Sequence, residues 1–186
     1  MSRVRHISPS ELPAGVADVY EKFAQGYGPF QNQVAVFAHV PSAVTHLMGL
    51  LMELKALKGI NWRYIELAIV TTSKLNECHY CVSHHTEPLK VEGIADETIA
   101  RLPDFENNPG LDNIDRLVVE YTIAVTNNAQ RIPNRLFERL RRHFTEAQIV
   151  ELTLRVALCG FFNRFNDALQ IDDELDHLHQ GHAVLT

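Results

Sequence analysis

Ten residues, Asn76 to His85, read NECHYCVSHH and hold two of the chain's three cysteines and three of its ten histidines. Thiols and imidazoles crowded this closely suit a redox pair or a metal site. If a helix starts near Cys78, then Cys78 and Cys81 share its first turn, at a spacing that makes side chains neighbours. A disulfide could open and close between them with little backbone motion. The unpaired N–H groups and positive dipole end of a helix start favour a thiolate, as in Cys-x-x-Cys redox helices. Taken alone, that argument points to Cys78. His85 stands four residues beyond Cys81, one turn along the same face. An imidazole there can take a proton from a thiol or hand one to a leaving group near neutral pH. His84, three residues beyond Cys81, is the nearest competitor for that task.

Glu66 is a fourth candidate. It falls inside the apolar run YIELAIV, where a carboxylate is costly unless it is paired or hydrogen-bonded. Facing the next helix, it could orient His85 and hold its proton, as the third member of a triad does. From local pattern alone, pairing with Arg63 or Lys74, or simple escape to solvent, is the commoner reason for such a residue.

A zinc site is the competing reading, with Cys78, Cys81 and His85 joined by His84 or Glu66. Structural zinc sites usually draw a second ligand pair from elsewhere, and no other clustered Cys/His pair is evident. His177, His179 and His182 in the tail resemble a metal run, although an exposed polar tail is the commoner reason for one. Cys159, in VALCGFF, reads as an inert core thiol.

The elements that must position these residues read as helical nearly throughout. AGVADVYEKFAQGYG is a short amphipathic helix, and FQNQVAVFAHVP is a shorter helical piece. SAVTHLMGLLMELKALKG aligns Val44, Leu47, Met48, Leu51 and Leu54 on one face and stops at Gly59. NWRYIELAIVTTSKLNE, with Asn61 as N-cap, is apolar nearly all round and is expected to be central and buried. The cysteine helix should end at Gly93. ADETIARLPDF follows with Asp96 as N-cap, then the loop ENNPGLDN, then two helices, the second begun by Pro133. Thr145 and Gln148 form a capping box for the last long helix. Its GFFNRFN segment places Asn163 and Arg164 among aromatics, where they could cap or bridge helices at a subunit contact. Glu66 and Glu151 occupy similar places at the heads of two long apolar helices. The expected fold is all-α with about seven or eight helices in a single domain over 1–186. An arm over about 1–13 and a loosely held polar tail over about 172–186 complete it.

Composition narrows the function. Of 186 residues, 46% are apolar and 22% charged, which is globular rather than disordered. The net charge of −6 argues against nucleic acid or an anionic membrane as the main partner. No apolar h-region opens the sequence and no run approaches a membrane span. Three cysteines are too few for a secreted disulfide framework, so a cytoplasmic location is the default.

Glu66, then eleven residues, then Cys78-x-x-Cys81, then three residues and His85, resembles the E-x11-C-x2-C-x3-H signature of the alkylhydroperoxidase D (AhpD)-like proteins. These belong to the carboxymuconolactone decarboxylase superfamily. The resemblance spans about 61–93, and GFFNRFNDALQI is similar to the last core helix of the family's longer, peroxidase-related members. It implies an AhpD-like helical bundle and a thiol peroxidase working without a bound metal or organic cofactor. Cys81 would attack an organic hydroperoxide, Cys78 would close the redox-active disulfide, and Glu66 with His85 would relay protons. An external dithiol, such as a dihydrolipoyl protein, would reduce the bond. The resemblance also implies a homo-oligomer, trimer or hexamer. Tyr80 stands where the best-known members carry a further histidine, which makes the relay shorter or differently wired. Lactone decarboxylation is disfavoured because the decarboxylases lack the cysteine pair. A redox sensor or partner-binding protein that switches without turnover is the remaining alternative.

Overall fold

The computed structural model describes residues 2–175. His177, His179 and His182 lie outside them. Among the described residues there is no strand. The α-helical segments are α1 (Ala14–Gly26), α2 (Gln31–Phe37), α3 (Pro41–Ala43), α4 (Gly49–Leu57), α5 (Trp62–Leu75), α6 (His79–Val91), α7 (Asp96–Arg101), α8 (Asn113–Asn128), α9 (Asn134–Arg141) and α10 (Glu146–Leu169). A π turn over Val44–Met48 joins α3 and α4 into one continuous helix over 41–57. That leaves nine α-helices among the described residues, against the seven or eight expected. The all-α expectation holds, and the short α2 and α7 each stand as separate helices.

The chain forms two compact units, one of Gly59–Phe165 and one of the described residues up to Lys58 together with those from Asn166 onward. In the unit of Gly59–Phe165, α5 is the central element. Ile65 through Ser73 are buried without a break, as its all-round apolar pattern requires. Asn61 caps it, its side chain accepting from the Arg63 N–H at 3.0 Å. Its Leu67 and Val70 share one core with Leu89, Val118, Tyr121, Leu140 and Leu152. The last long helix opens on the expected box. The Thr145 N–H donates to Gln148 Oε1 at 2.9 Å and the Gln148 N–H to Thr145 Oγ1 at 3.3 Å.

Two boundaries differ from the sequence reading. The helix over 41–57 ends through Lys58, at φ 50, rather than Gly59. Ala95, not Asp96, caps α7; Asp96 is drawn to Lys90, its Oδ1 lying 2.7 Å from Nζ.

In the other unit the arm and the start of the tail are tied down rather than loose. The Ser2 N–H donates to Asp172 Oδ2 at 2.8 Å, the Arg3 N–H to the Leu169 carbonyl at 2.9 Å and the Ile7 N–H to the Ala35 carbonyl at 3.0 Å. Asn32 Nδ2 donates to the Asp172 carbonyl at 2.8 Å, and the Asn32 N–H reaches Glu174 Oε1 at 3.2 Å. Polar composition suggested a solvated tail, but its first residues supply acceptors that neighbouring N–H groups need. No helix among the described residues is long and apolar enough to cross a membrane.

Candidate active site

Every residue singled out around the two cysteines lies in the unit of Gly59–Phe165. The chain leaves α5 through Asn76 and turns at Glu77, which adopts φ 57. It then re-enters helix with Cys78 as the N-cap of α6. The Cys78 N–H reaches back to the Ser73 carbonyl at 2.9 Å, and the Val82 N–H donates to the Cys78 carbonyl at 3.1 Å. This turn places Cys81 in the first turn of α6 and brings the two Sγ atoms within 3.2 Å. At that distance the two sulfurs are not joined in a disulfide. Cys78 has no exposed surface, whereas Cys81 keeps 5%. The sequence placed a thiol pair at a helix start, and the structure puts it there.

Helices α5 and α6 bring Glu66 and His85 together. Glu66 Oε2 lies 2.8 Å from His85 Nδ1, with the carboxylate side chain 2% exposed and the imidazole 15%. A carboxylate only accepts, so in this contact Nδ1 is the donor. A buried carboxylate thereby holds one face of an imidazole that is itself mostly covered. The other partners proposed for Glu66 are committed elsewhere. Arg63 grips Asp115, Nε to Oδ1 at 2.9 Å and Nη2 to Oδ2 at 2.6 Å, and also donates to the Glu92 carbonyl. The guanidinium pKa is raised by that hydrogen bond. Lys74 donates to the carbonyls of Ile99 and Ala100, and burial pushes its ammonium down from the usual value.

His84 and Tyr80 form a separate stack one helical turn apart. The rings lie 4.1 Å between centroids at 18°, and His84 Nδ1 donates to the Tyr80 carbonyl at 2.8 Å. Both are buried. His84, the competing base, thus has one ring nitrogen committed to its own helix backbone, and the carboxylate goes to His85.

Cys159 comes closer to this site than its apolar sequence context suggested. Its Sγ lies 3.3 Å from Ser73 Oγ, 3.5 Å from the Ile69 carbonyl and 3.8 Å from Asn163 Oδ1. Burial pushes this thiol up from 9.0 to about 12, with the nearby Cys78 and Glu66 charges adding to the shift. It stays protonated at neutral pH, in keeping with an inert core thiol. Asn163, wholly buried, donates from Nδ2 to Ser73 Oγ at 3.2 Å and accepts at Oδ1 from Asn76 Nδ2 at 2.8 Å. Ser73 and Asn76 were missed in sequence. Their one signal is periodicity, since Ser73 falls seven residues beyond Glu66 on the same stripe of α5.

Glu151, the echo of Glu66, is also buried, but it pairs within its own helix. Its Oε1 lies 3.4 Å from Arg155 Nη2, and the guanidinium sits over the Trp62 ring at 5.2 Å.

The carboxymuconolactone decarboxylase family model matches residues 40–105, a range that includes Glu66, Cys78, Cys81 and His85. A protein of unknown function from Agrobacterium tumefaciens, provisionally assigned to antioxidant defence as AhpD, is 25% identical. It has a TM-score of 0.67 over 74% of this chain and 94% of that one. An uncharacterized peroxidase-related protein with an alkylhydroperoxidase AhpD core, from Ralstonia eutropha JMP134, superposes with a TM-score of 0.78. It is 20% identical over 93% of this chain and 92% of that one. A cysteine-to-alanine variant of the debrominase Bmp8, in complex with 2,3,4-tribromopyrrole, gives 0.76 at 18% identity over 94% of each chain. The last two share the fold.

Proposed function

The chain belongs to the carboxymuconolactone decarboxylase superfamily, alongside AhpD-like proteins, and from that premise we propose that it is a thiol-dependent hydroperoxidase. The observation that carries this reading is the joining of a sulfur pair at 3.2 Å to a carboxylate–imidazole pair at 2.8 Å through one helix, α6.

Cys81 is the attacking sulfur. It is the more exposed of the two, and His85 follows it by one turn on the same face. His85 Nε2 takes the Cys81 proton, and the thiolate attacks the peroxide O–O bond. One oxygen stays on sulfur as a sulfenic acid, and the other leaves as alkoxide and takes a proton to become the alcohol. Cys78 then attacks the sulfenic sulfur, the S–S bond forms and water departs. An external dithiol restores both thiols by exchange, with two electrons entering per peroxide reduced. Glu66 holds the His85 tautomer and balances the imidazolium while it carries the proton. Homo-oligomerisation and a dihydrolipoyl reductant belong to this same proposal.

The test follows cumene hydroperoxide consumption by prereduced protein with a dihydrolipoyl donor, comparing wild type with Cys81→Ser and His85→Gln. Turnover abolished in the first variant and sharply reduced in the second supports the proposal. A reversible Cys78–Cys81 disulfide without peroxide turnover would shift the reading to a redox switch. Loss of bromide from 2,3,4-tribromopyrrole instead would point to the chemistry named for Bmp8. Oxidation-resistant thiols with stoichiometric zinc would replace the peroxidase with a metal site.

A further inference from the structure

The reactive pair depends on a turn whose backbone is held by α10. Between the end of α5 and the start of α6 the chain has only Asn76, Glu77 and Cys78. Glu77 sits in the left-handed region at φ 57, where a residue with a Cβ carries strain that its surroundings must hold. Two tethers do this. The Cys78 N–H is bound to the Ser73 carbonyl at 2.9 Å. The Asn76 side chain, two residues before Cys78, donates to Asn163 Oδ1 at 2.8 Å. Asn163 also donates to the Ser73 hydroxyl at 3.2 Å, so one buried amide grips the turn at both points. Cys159 Sγ completes the cluster, 3.3 Å from the same hydroxyl. Ser73 and Asn163 have no exposed surface, so losing the bond between them leaves a buried polar group unsatisfied. Gly160 of α10 also lies beside the turn. A Cβ on Gly160 would stand 3.9 Å from Asn76 Nδ2 and 3.1 Å from Arg164 Nη1.

We propose that Asn163 is a positioning residue that sets the redox equilibrium of the Cys78–Cys81 pair, an inference that rests on the oxidoreductase reading above. In closing the disulfide, the two thiols give two electrons and two protons to an oxidant such as oxidised dithiothreitol, which becomes the dithiol. The equilibrium constant of that exchange contains the cost of bringing Cys78 to Cys81. A held turn has met that cost in advance, as preorganisation does for any intramolecular reaction. Freeing the turn returns conformational entropy to the dithiol form and favours it.

The experiment equilibrates full-length protein with reduced and oxidised dithiothreitol and reads the Cys78–Cys81 disulfide fraction by thiol alkylation and mass spectrometry. Asn163→Ala is expected to shift the equilibrium at least tenfold toward the dithiol, about 30 mV for a two-electron couple. Asn76→Ala, at a half-buried position that threatens folding less, should shift it several-fold in the same direction. Leu140→Ala, in the core but with no bond to the turn, serves as the destabilised control and should stay within twofold of wild type. Lower melting temperatures with an unchanged equilibrium in both asparagine variants would overturn the proposal. So would an equal shift in Leu140→Ala. A wild-type protein that forms no Cys78–Cys81 disulfide at all would instead overturn the oxidoreductase reading on which it rests.

Discussion

Glu66 Oε2 and His85 Nδ1 meet at 2.8 Å from two different helices, nineteen positions apart in the chain. The contact spends the carboxylate on one imidazole while Arg63 and Lys74, on the same helix as Glu66, are bound elsewhere. His85→Gln removes the base and is expected to lower peroxide turnover by about 10²-fold or more. Glu66→Gln keeps an acceptor for the Nδ1 hydrogen but removes the charge that balances the imidazolium, so its loss should be real and smaller. Initial rates on folded variants decide this. Full turnover in Glu66→Gln would mean that the carboxylate is only a packing partner.

Cys159 makes stability pH-dependent on the alkaline side. Its folded pKa is raised from 9.0 to about 12 by burial, so above pH 9 the unfolded chain releases a proton that the native state keeps. The stabilising contribution is complete below pH 9 and drains away as pH rises toward 12, at about 1.4 kcal/mol per pH unit. Urea unfolding of wild type between pH 8 and pH 10.5 should lose about 2 kcal/mol by this route. Cys159→Ser should flatten that limb whatever it does to stability at neutral pH. An equally steep limb in the variant would assign the alkaline loss to other groups.

The sequence carried the local parts of this site and missed its remote supports. A helix start at Cys78 was legible because the spacing to Cys81 and His85 is a matter of one helix. The burial of α5 was legible because apolar residues surround Asn61-capped turns on every side. The involvement of Glu66 was legible as a cost, a carboxylate in an apolar run, but its partner was not fixed by that cost alone. Ser73 and Asn76 were not legible, since their bonds to Asn163 join residues 87 and 90 positions apart and no local periodicity reports such a pairing; Asn163 was read as able to bridge helices, but at a subunit contact and without these partners. The first residues of the tail misled for the opposite reason. Polar composition describes Asp172 and Glu174 equally well as solvated or as acceptors for Ser2 and Asn32.

Asp115 is expected to matter more to folding than to chemistry. Its fully buried carboxylate accepts from Arg63 at 2.9 and 2.6 Å and from the Asp112 N–H at 3.1 Å, closing the capping box of α8. Asp115→Ala strands the guanidinium and opens the cap, and should cost about 3–5 kcal/mol in urea unfolding. Asp115→Asn, which keeps a neutral acceptor, should cost less. A loss under about 1 kcal/mol for the alanine variant would place this pair among ion pairs of no net worth.

The pair of Glu151 and Arg155 gives a sharper contrast because both side chains are buried, at 8% and 2% exposure. Arg155 Nε and Nη1 find no hydrogen-bond partner among the described residues, so the guanidinium is only partly compensated by Glu151 at 3.4 Å and the Trp62 ring. Removing the carboxylate alone leaves a charge in the interior, and Glu151→Ala should destabilise by about 3–5 kcal/mol. Replacing both partners with apolar residues of similar volume, Glu151→Leu with Arg155→Met, removes the desolvated charges together. It should be close to neutral or stabilising. Chemical unfolding of the two single variants and the double variant gives the coupling directly. A double variant that loses as much as the sum of the singles would show that Arg155 does something its pairing with Glu151 does not explain.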